Sequence, residues 1–142
     1  MNIQNKSFCI AVAGFGWWGR HIVNRLKLTD GIAVPVVIEP NETAHDQIRD
    51  AGPAPYTRFE DVLKRPDIDA VVLTTPNPLH EEQVRQCAAA GKHVFCEKPL
   101  GLTGESARRS VKACKEAGVT LGIGHERRFE PAMEALKAEI ER

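Results

Sequence analysis

The sequence predicts a three-layer α/β/α domain built on a doubly wound parallel sheet, and three observations support this fold class. Six apolar runs alternate with segments of helical periodicity along the 142 residues. A glycine-rich turn separates the first apolar run from the first helix, and an acidic residue closes the second run. Right-handed crossovers place helices on both faces of such a sheet, and ligands bind beyond the carboxyl ends of its strands. The sequence therefore predicts one crevice at that edge.

The first strand and the turn after it carry the most specific pattern. Residues 8–13 are apolar and predict a buried strand, and residues 14–19 read Gly-Phe-Gly-Trp-Trp-Gly. In a Gly-x-Gly-x-x-Gly turn, Gly14 allows the tight bend, Gly16 lets a pyrophosphate approach the backbone, and Gly19 lets the helix pack on the sheet. The apolar residues that follow at helical spacing are Trp18, Ile22, Val23 and Leu26. Strand, turn and helix together indicate a dinucleotide-binding site, with phosphates at the helix N-terminus.

Glu39 strengthens this interpretation. It ends the apolar run 32–38 and lies twenty positions after Gly19, where an acidic side chain accepts hydrogen bonds from the adenosine ribose. A carboxylate there would repel the 2′-phosphate of NADP, and no Arg or Lys follows before Arg49. We therefore expect NAD rather than NADP. The alternative is that Glu39 is a solvated strand end and that the glycines only form turns.

The remaining elements follow from apolar periodicity and from Gly, Pro and capping residues. Helices are predicted over residues 41–51, 60–64, 79–90 and 104–117, the last capped by Thr103 and ended by Gly118. Its buried face is predicted to carry Ala107, Val111 and Cys114. Strands are predicted near Tyr56 and over residues 69–74, 93–96 and 119–123.

Two segments at predicted strand ends suggest chemistry. Residues 74–80 follow the fourth strand, and residues 97–101, which include Glu97 and Lys98, follow the fifth. A lysine in a crevice, beside a carboxylate and next to proline, is well placed for proton transfer. The alternative is an ordinary exposed ion pair beside a turn.

Four motifs resemble the glucose–fructose oxidoreductase / inositol dehydrogenase / MocA family. They are Gly-Phe-Gly-Trp-Trp-Gly at 14–19, Thr-Pro-Asn-Pro-Leu-His at 75–80, Glu-Lys-Pro-Leu at 97–100 and Arg-Arg-Phe-Glu-Pro at 127–131. Their order and spacing match, over nearly the whole chain. The resemblance implies a Rossmann fold and an NAD(P)-dependent oxidoreductase acting on sugars, polyols or related hydroxy or keto compounds.

The resemblance also implies roles for individual residues. Lys98 would be catalytic and would bind or protonate the oxygen of the reacting carbon. The residues implied to bind cofactor are Gly14, Gly16, Trp17, Trp18, Gly19, Glu39, Thr75, Asn77, His80, Glu97, Lys98 and Arg127. For Trp18 a place in the core is the favoured alternative, and for His80 the alternative is the first residue of a solvated helix.

The chain is much shorter than members of this family, which continue into a substrate domain. We expect residues 1–124 to form the NAD-binding domain and 125–142 the crossover and opening helix of the missing domain. The alternative is a C-terminal helix docked on its own sheet. Because positioning two reactants supplies about 7–11 kcal/mol of barrier lowering, this chain is expected to bind NAD but turn over poorly.

Composition excludes several other classes. Acidic and basic residues balance at 19 each, which argues against nucleic acid as a partner. There is no apolar N-terminal leader and no run of membrane-spanning length, so a cytoplasmic protein is expected. The five histidines show no metal-ligand spacing, and His21 and His45 are expected at the surface. The four cysteines, Cys9, Cys87, Cys96 and Cys114, are expected to be free thiols.

Two other functions stay open at this stage. A nucleotide-binding or interaction module without catalysis would account for the missing domain. A methyltransferase that uses S-adenosylmethionine would share the glycine turn and the acidic residue of the second strand. A bare interdomain face would also favour a homodimer.

Overall fold

The fold is described by a computed structural model over residues 7–142. Its strands are β1 Phe8–Ala13, β2 Ile32–Ile38, β3 Ala54–Tyr56, β4 Ala70–Leu73, β5 His93–Glu97 and β6 Leu121–Gly124. They form one parallel sheet in the order β3-β2-β1-β4-β5-β6. Strand order reverses between β1 and β4, which is where such sheets open a crevice beyond their carboxyl ends. The predicted doubly wound sheet is confirmed.

The helices connect these strands. They are α1 Trp17–Leu26, α2 His45–Ala51, α3 Phe59–Leu63, α4 His80–Ala89, α5 Gly104–Ala117 and α6 Pro131–Ile140. The helices predicted from residues 41 and 79 begin instead with short 3-10 turns, Glu42–Ala44 and Asn77–Leu79. Pro78 lies within the second turn, where a missing backbone N–H removes no helical hydrogen bond. Both α-helices start later than the sequence predicted, at His45 and His80.

Two apolar layers hold the helices on the two faces of the sheet. One layer joins the strands to α3, α4 and α5, with Val71, Val94 and Cys96 among its buried strand residues. The other joins β1, β2 and β4 to α1 and α2, through Val23 and Ile48. The three-layer arrangement expected from the alternating pattern is present.

The buried face of α5 differs from the prediction. Val111 is 49% exposed, whereas Ser106 and Ser110 are buried beside Cys114. Ser106 Oγ donates to the Thr103 carbonyl at 2.9 Å and Ser110 Oγ donates to the Ser106 carbonyl at 3.2 Å. Because these hydroxyls are satisfied within the helix, they can be buried at little cost. Apolar periodicity misplaced this face because it assigns serine to the surface.

The cysteines are free, and three of them are buried. Burial raises the pKa of Cys96 to about 12 and raises the pKa of Cys87 and Cys114 as well. A raised pKa disfavours the thiolate, which is the form that reacts. We expect an aromatic disulfide reagent to label these three thiols far more slowly than half-buried Cys9. All four should react in denaturant, and fast labelling of the three in the native protein would contradict the burial.

The C-terminal segment lies apart from the core. Every residue of α6 is exposed, including Met133, Leu136 and Ile140 on one helical stripe. A helix docked on its own sheet would bury one face, whereas no residue of α6 is buried in this structure. Within residues 7–142, no helix has the length and apolar character that crossing a bilayer requires.

Candidate functional site

The glycine turn after β1 contains glycines of two kinds. Gly14 has a φ of +92°, and a Cβ on Gly19 would lie 2.2 Å from the Gly14 carbonyl oxygen. Gly16 has an extended backbone with a φ of −66°, and a Cβ there would meet nothing within 4 Å. Gly14 and Gly19 are thus required by the fold itself. The fold does not need a glycine at Gly16, so the open space above it is available to a ligand.

The N-terminus of α1 faces this open space without a cap. Gly16 is the N-cap, no side chain accepts a hydrogen bond from the first turn, and that turn has no acidic residue. The first N–H groups of a helix have no partner within it, and the helix dipole makes this end positive. The arrangement fits a phosphate group, which would provide the missing acceptors.

Glu39 lies beside the glycine turn. Its Oε2 accepts a hydrogen bond from the Phe15 N–H at 3.0 Å, and its Oε1 accepts one from the Asn41 N–H at 2.9 Å. His45 Nε2 lies 2.8 Å from the Glu39 carbonyl oxygen. Glu39 is therefore a fixed carboxylate rather than a freely solvated strand end. His45 is half-buried by this contact, which corrects its expected place at the surface.

A cavity of about 420 Å³ opens at the carboxyl ends of the strands. It gathers seven of the predicted site residues: Trp17, Trp18, Thr75, Asn77, His80, Glu97 and Lys98. They come from the start of α1, the segment after β4 and the segment after β5. Because all of these segments leave the same edge of the parallel sheet, residues far apart in sequence line one space.

Thr74 and Glu126 also line this cavity, and of these two only Thr74 belongs to a segment that the sequence predicted at this edge. Thr74 Oγ1 donates to the Ala13 carbonyl at 2.8 Å and thus ties β4 to the end of β1. Glu126 enters from the segment after β6. Thr74 ends the predicted fourth strand, and that position was the signal that placed it at this edge. For Glu126 no motif provided such a signal.

Glu97 and Lys98 have different environments. Glu97 is only 8% exposed, and a Cβ on Gly124 would lie 2.6 Å from its Oε1. The carboxylate thus packs against the bare backbone of β6, while Lys98 is exposed. Within residues 7–142, Glu97 forms neither an ion pair nor a side-chain hydrogen bond, so the alternative of an exposed Glu97–Lys98 pair is wrong. Glu97 keeps free acceptors toward the cavity.

The two tryptophans occupy different positions at the cavity. Trp17 is 79% exposed, whereas Trp18 is half-buried and stacks on the ring of His21 with centroids 5.1 Å apart. The indole Nε1 of Trp18 is buried and has no hydrogen-bond partner within the described residues. A donor in this state costs free energy unless a partner arrives. Trp18 lines the cavity, and within the described residues it is not among those that pack in either apolar layer, so the favoured alternative of a place in the core is not supported.

His80 and Arg127 are placed less directly for ligand contact. His80 is fully buried, and both of its ring nitrogens lie at hydrogen-bond distance from backbone carbonyls. His80 is the first residue of α4, as the alternative supposed, but it is buried and not solvated. Arg127 is exposed and lines a neighbouring cavity, which shares Lys98 and Glu126 with the first.

The strand order, the uncapped α1 and the carboxylate of Glu39 define a dinucleotide-binding Rossmann domain. A model of an oxidoreductase family with an NAD-binding Rossmann fold matches residues 8–125. The chain therefore belongs to that family, the glucose–fructose oxidoreductase / inositol dehydrogenase / MocA family.

Relatives and solved structures agree with this membership. The chain is 38% identical over 136 residues to inositol 2-dehydrogenase of Mycolicibacterium smegmatis, covering 93% of this chain and 39% of the relative. It is 48% identical over 84 residues to 1,5-anhydro-D-fructose reductase of Ensifer adhaerens, covering 59% of this chain and 25% of the relative. The structure of the WlbA dehydrogenase of Bordetella pertussis, solved with NADH and UDP-GlcNAcA, matches with a TM-score of 0.90 and 31% identity. This match covers 95% of this chain and 42% of WlbA. The chain thus spans less than half of each.

Proposed function

We propose that this chain is the nucleotide-binding domain of an NAD-dependent oxidoreductase that transfers hydride between nicotinamide and a sugar, polyol or related hydroxy compound. The observation that carries the proposal is the cavity at the strand ends, which joins the predicted site residues to the uncapped start of α1. Membership in the family and the names of the relatives support the reaction class.

Different residues along the crevice would bind different parts of the dinucleotide. The N–H groups at Gly16 and Trp17 would hold the pyrophosphate, and Glu39 would accept hydrogen bonds from the adenosine ribose. Trp18 Nε1 offers a buried donor and Glu97 offers acceptors toward the bound group. The remaining contacts proposed along the cofactor are Thr75, Asn77, His80 and Arg127.

Lys98 is the proposed catalytic residue. When bound, the nicotinamide supplies or accepts the hydride. The ammonium group of Lys98, at the edge of the same cavity, would hydrogen-bond the oxygen of the reacting carbon. In reduction the ammonium would give a proton to that oxygen and become a neutral amine, and in oxidation the neutral amine would take the proton of the hydroxyl group.

The preference for NAD over NADP is tested by Glu39→Ala. We expect the wild type to bind NAD more tightly than NADP in titration calorimetry, because the carboxylate repels a 2′-phosphate. Hydrogen bonds to a charged group contribute about 1.5–3 kcal/mol, so the variant should bind NAD about 10- to 140-fold more weakly. The ratio of its dissociation constants for NADP and NAD should be smaller than that of the wild type.

Glu42→Ala is the matched control for this experiment. Glu42 is an exposed carboxylate three residues further along the chain, so its removal changes the net charge equally. We expect its nucleotide affinity to match the wild type. Binding of neither nucleotide by the wild type would overturn the proposed function itself.

We also propose that residues 1–124 form the nucleotide-binding domain and that residues 125–142 lead into a substrate domain. The apolar stripe of α6 is exposed in this structure, and the relatives are more than twice as long as the part that this chain matches. A domain packed on that stripe would cover it. Sequencing the gene past the codon for Arg142 tests this proposal.

A further inference from the structure

We propose that His80 is a positioning residue whose ring, protonated on both nitrogens, ties together the two segments that follow β4 and β5. Its Nδ1 lies 2.7 Å from the Pro99 carbonyl oxygen and its Nε2 lies 2.8 Å from the Thr75 carbonyl oxygen. The ring is fully buried, so water does not compete for either contact.

The protonation follows from the partners. A carbonyl oxygen only accepts hydrogen bonds, and a neutral imidazole carries one N–H. With a neutral ring, one of the two short contacts would set a nitrogen lone pair against an oxygen lone pair. Both contacts are favourable only when both nitrogens carry hydrogen.

The position of the two carbonyls explains what the ring does. Thr75 belongs to the segment after β4, and Pro99 belongs to the segment after β5, which is the neighbouring strand. Pro99 directly follows Lys98, so the ring holds the chain one residue from the proposed catalytic ammonium. A second bond, from Thr75 Oγ1 to Gln83 Oε1, fixes the same segment to α4.

Charged groups around the ring are compatible with an imidazolium. Glu97, Lys98 and Glu126 line the cavity that His80 also lines, so the charged groups of that cavity are two carboxylates and one ammonium. On its own helix, Glu81 is engaged by Arg109 at 2.9 Å between Oε2 and Nη2. Glu97 is 8% exposed and forms no ion pair within residues 7–142, so its negative charge in this cavity is not balanced by another side chain.

Nitrogen NMR of the ring tests the inference directly. We expect the spectrum of the ¹⁵N-labelled wild type at neutral pH to show both ring nitrogens of His80 protonated. His93 is an internal control, because its Nδ1 accepts a hydrogen bond from the Thr120 N–H at 3.0 Å and must be unprotonated. A spectrum with one unprotonated nitrogen on His80 would overturn the proposal.

The positioning role is tested by His80→Gln, with His93→Gln as control at the opposite end of β5. We expect His80→Gln to displace the amide signals of Lys98 and Leu100, while His93→Gln leaves them in place. Unchanged signals in a folded His80→Gln would refute positioning, and if that variant does not fold, the wild-type spectrum still decides the protonation.

The catalytic importance of this contact rests on the proposed function, whereas the expected ¹⁵N spectrum of His80 is independent of it. A wild type that binds no dinucleotide would overturn the oxidoreductase proposal and leave the ring spectrum of His80 unchanged. A wild type that binds NAD but has a singly protonated His80 would overturn the protonation proposal and leave the oxidoreductase proposal intact.

Discussion

Gly19→Ala is expected to lower the free energy of unfolding by about 3 kcal/mol, the upper end of the usual cost of overpacking. The new methyl group would lie 2.2 Å from the Gly14 carbonyl oxygen and 2.9 Å from Thr74 Oγ1. The Gly14 oxygen is backbone in a turn fixed by β1, so it cannot swing away as a side chain would. Urea denaturation followed by circular dichroism measures the loss, and the melting temperature should fall by roughly 10 °C.

Gly104→Ala is the control for this prediction. Gly104 lies in the first turn of α5, and a Cβ there would meet only the Arg108 guanidinium, at 3.6 Å. We expect its stability to stay within about 1 kcal/mol of the wild type, since alanine is a better helix former than glycine. A Gly19→Ala variant as stable as this control would contradict the close packing of α1 on the glycine turn.

Gly16→Ala is expected to fold normally and to lose nucleotide affinity. The backbone of Gly16 suits any residue, and its Cβ would enter open space at the N-terminus of α1. A pyrophosphate seated on that terminus would then meet the methyl group. We expect a cost of about 2 kcal/mol in binding, or about 30-fold in Kd, by analogy with overpacking.

Calorimetric titration with NAD measures this loss, after thermal melting has shown that the variant is folded. Gly104→Ala again provides the control and should bind like the wild type. If Gly16→Ala bound NAD with unchanged affinity, the diphosphate would not lie over Gly16. Together, Gly19→Ala and Gly16→Ala separate the two uses of glycine in one turn, one for the fold and one for the ligand.

Much of the fold was predictable because its signals are local. The strand at Phe8–Ala13, the N-cap Thr103 and the C-terminal stop Gly118 are confirmed, although the strand is buried only from its third residue onward. The hydrogen bond from the Ser106 N–H to Thr103 Oγ1 involves residues three apart. Such features need no knowledge of distant parts of the chain.

Other features could not be predicted because they depend on contacts across the fold. Ser110 is buried and Val111 is exposed, the reverse of what apolar periodicity predicts, because packing decides which side of α5 meets the core. The entry of Glu126 into the cavity depends on where β6 ends beside β5. The carbonyl partners of His80 are five and nineteen residues away, on segments that only the sheet brings together.

The sequence by itself determined the parallel α/β fold, the glycine turn and the acidic residue that closes β2. It could do so because apolar periodicity, turn chemistry and short motifs are written in neighbouring residues. Only the tertiary structure decided which glycine serves the fold, which carboxylate is buried and which histidine holds two segments. These are properties of distances between residues remote in sequence, and packing of the sheet and its helices sets them.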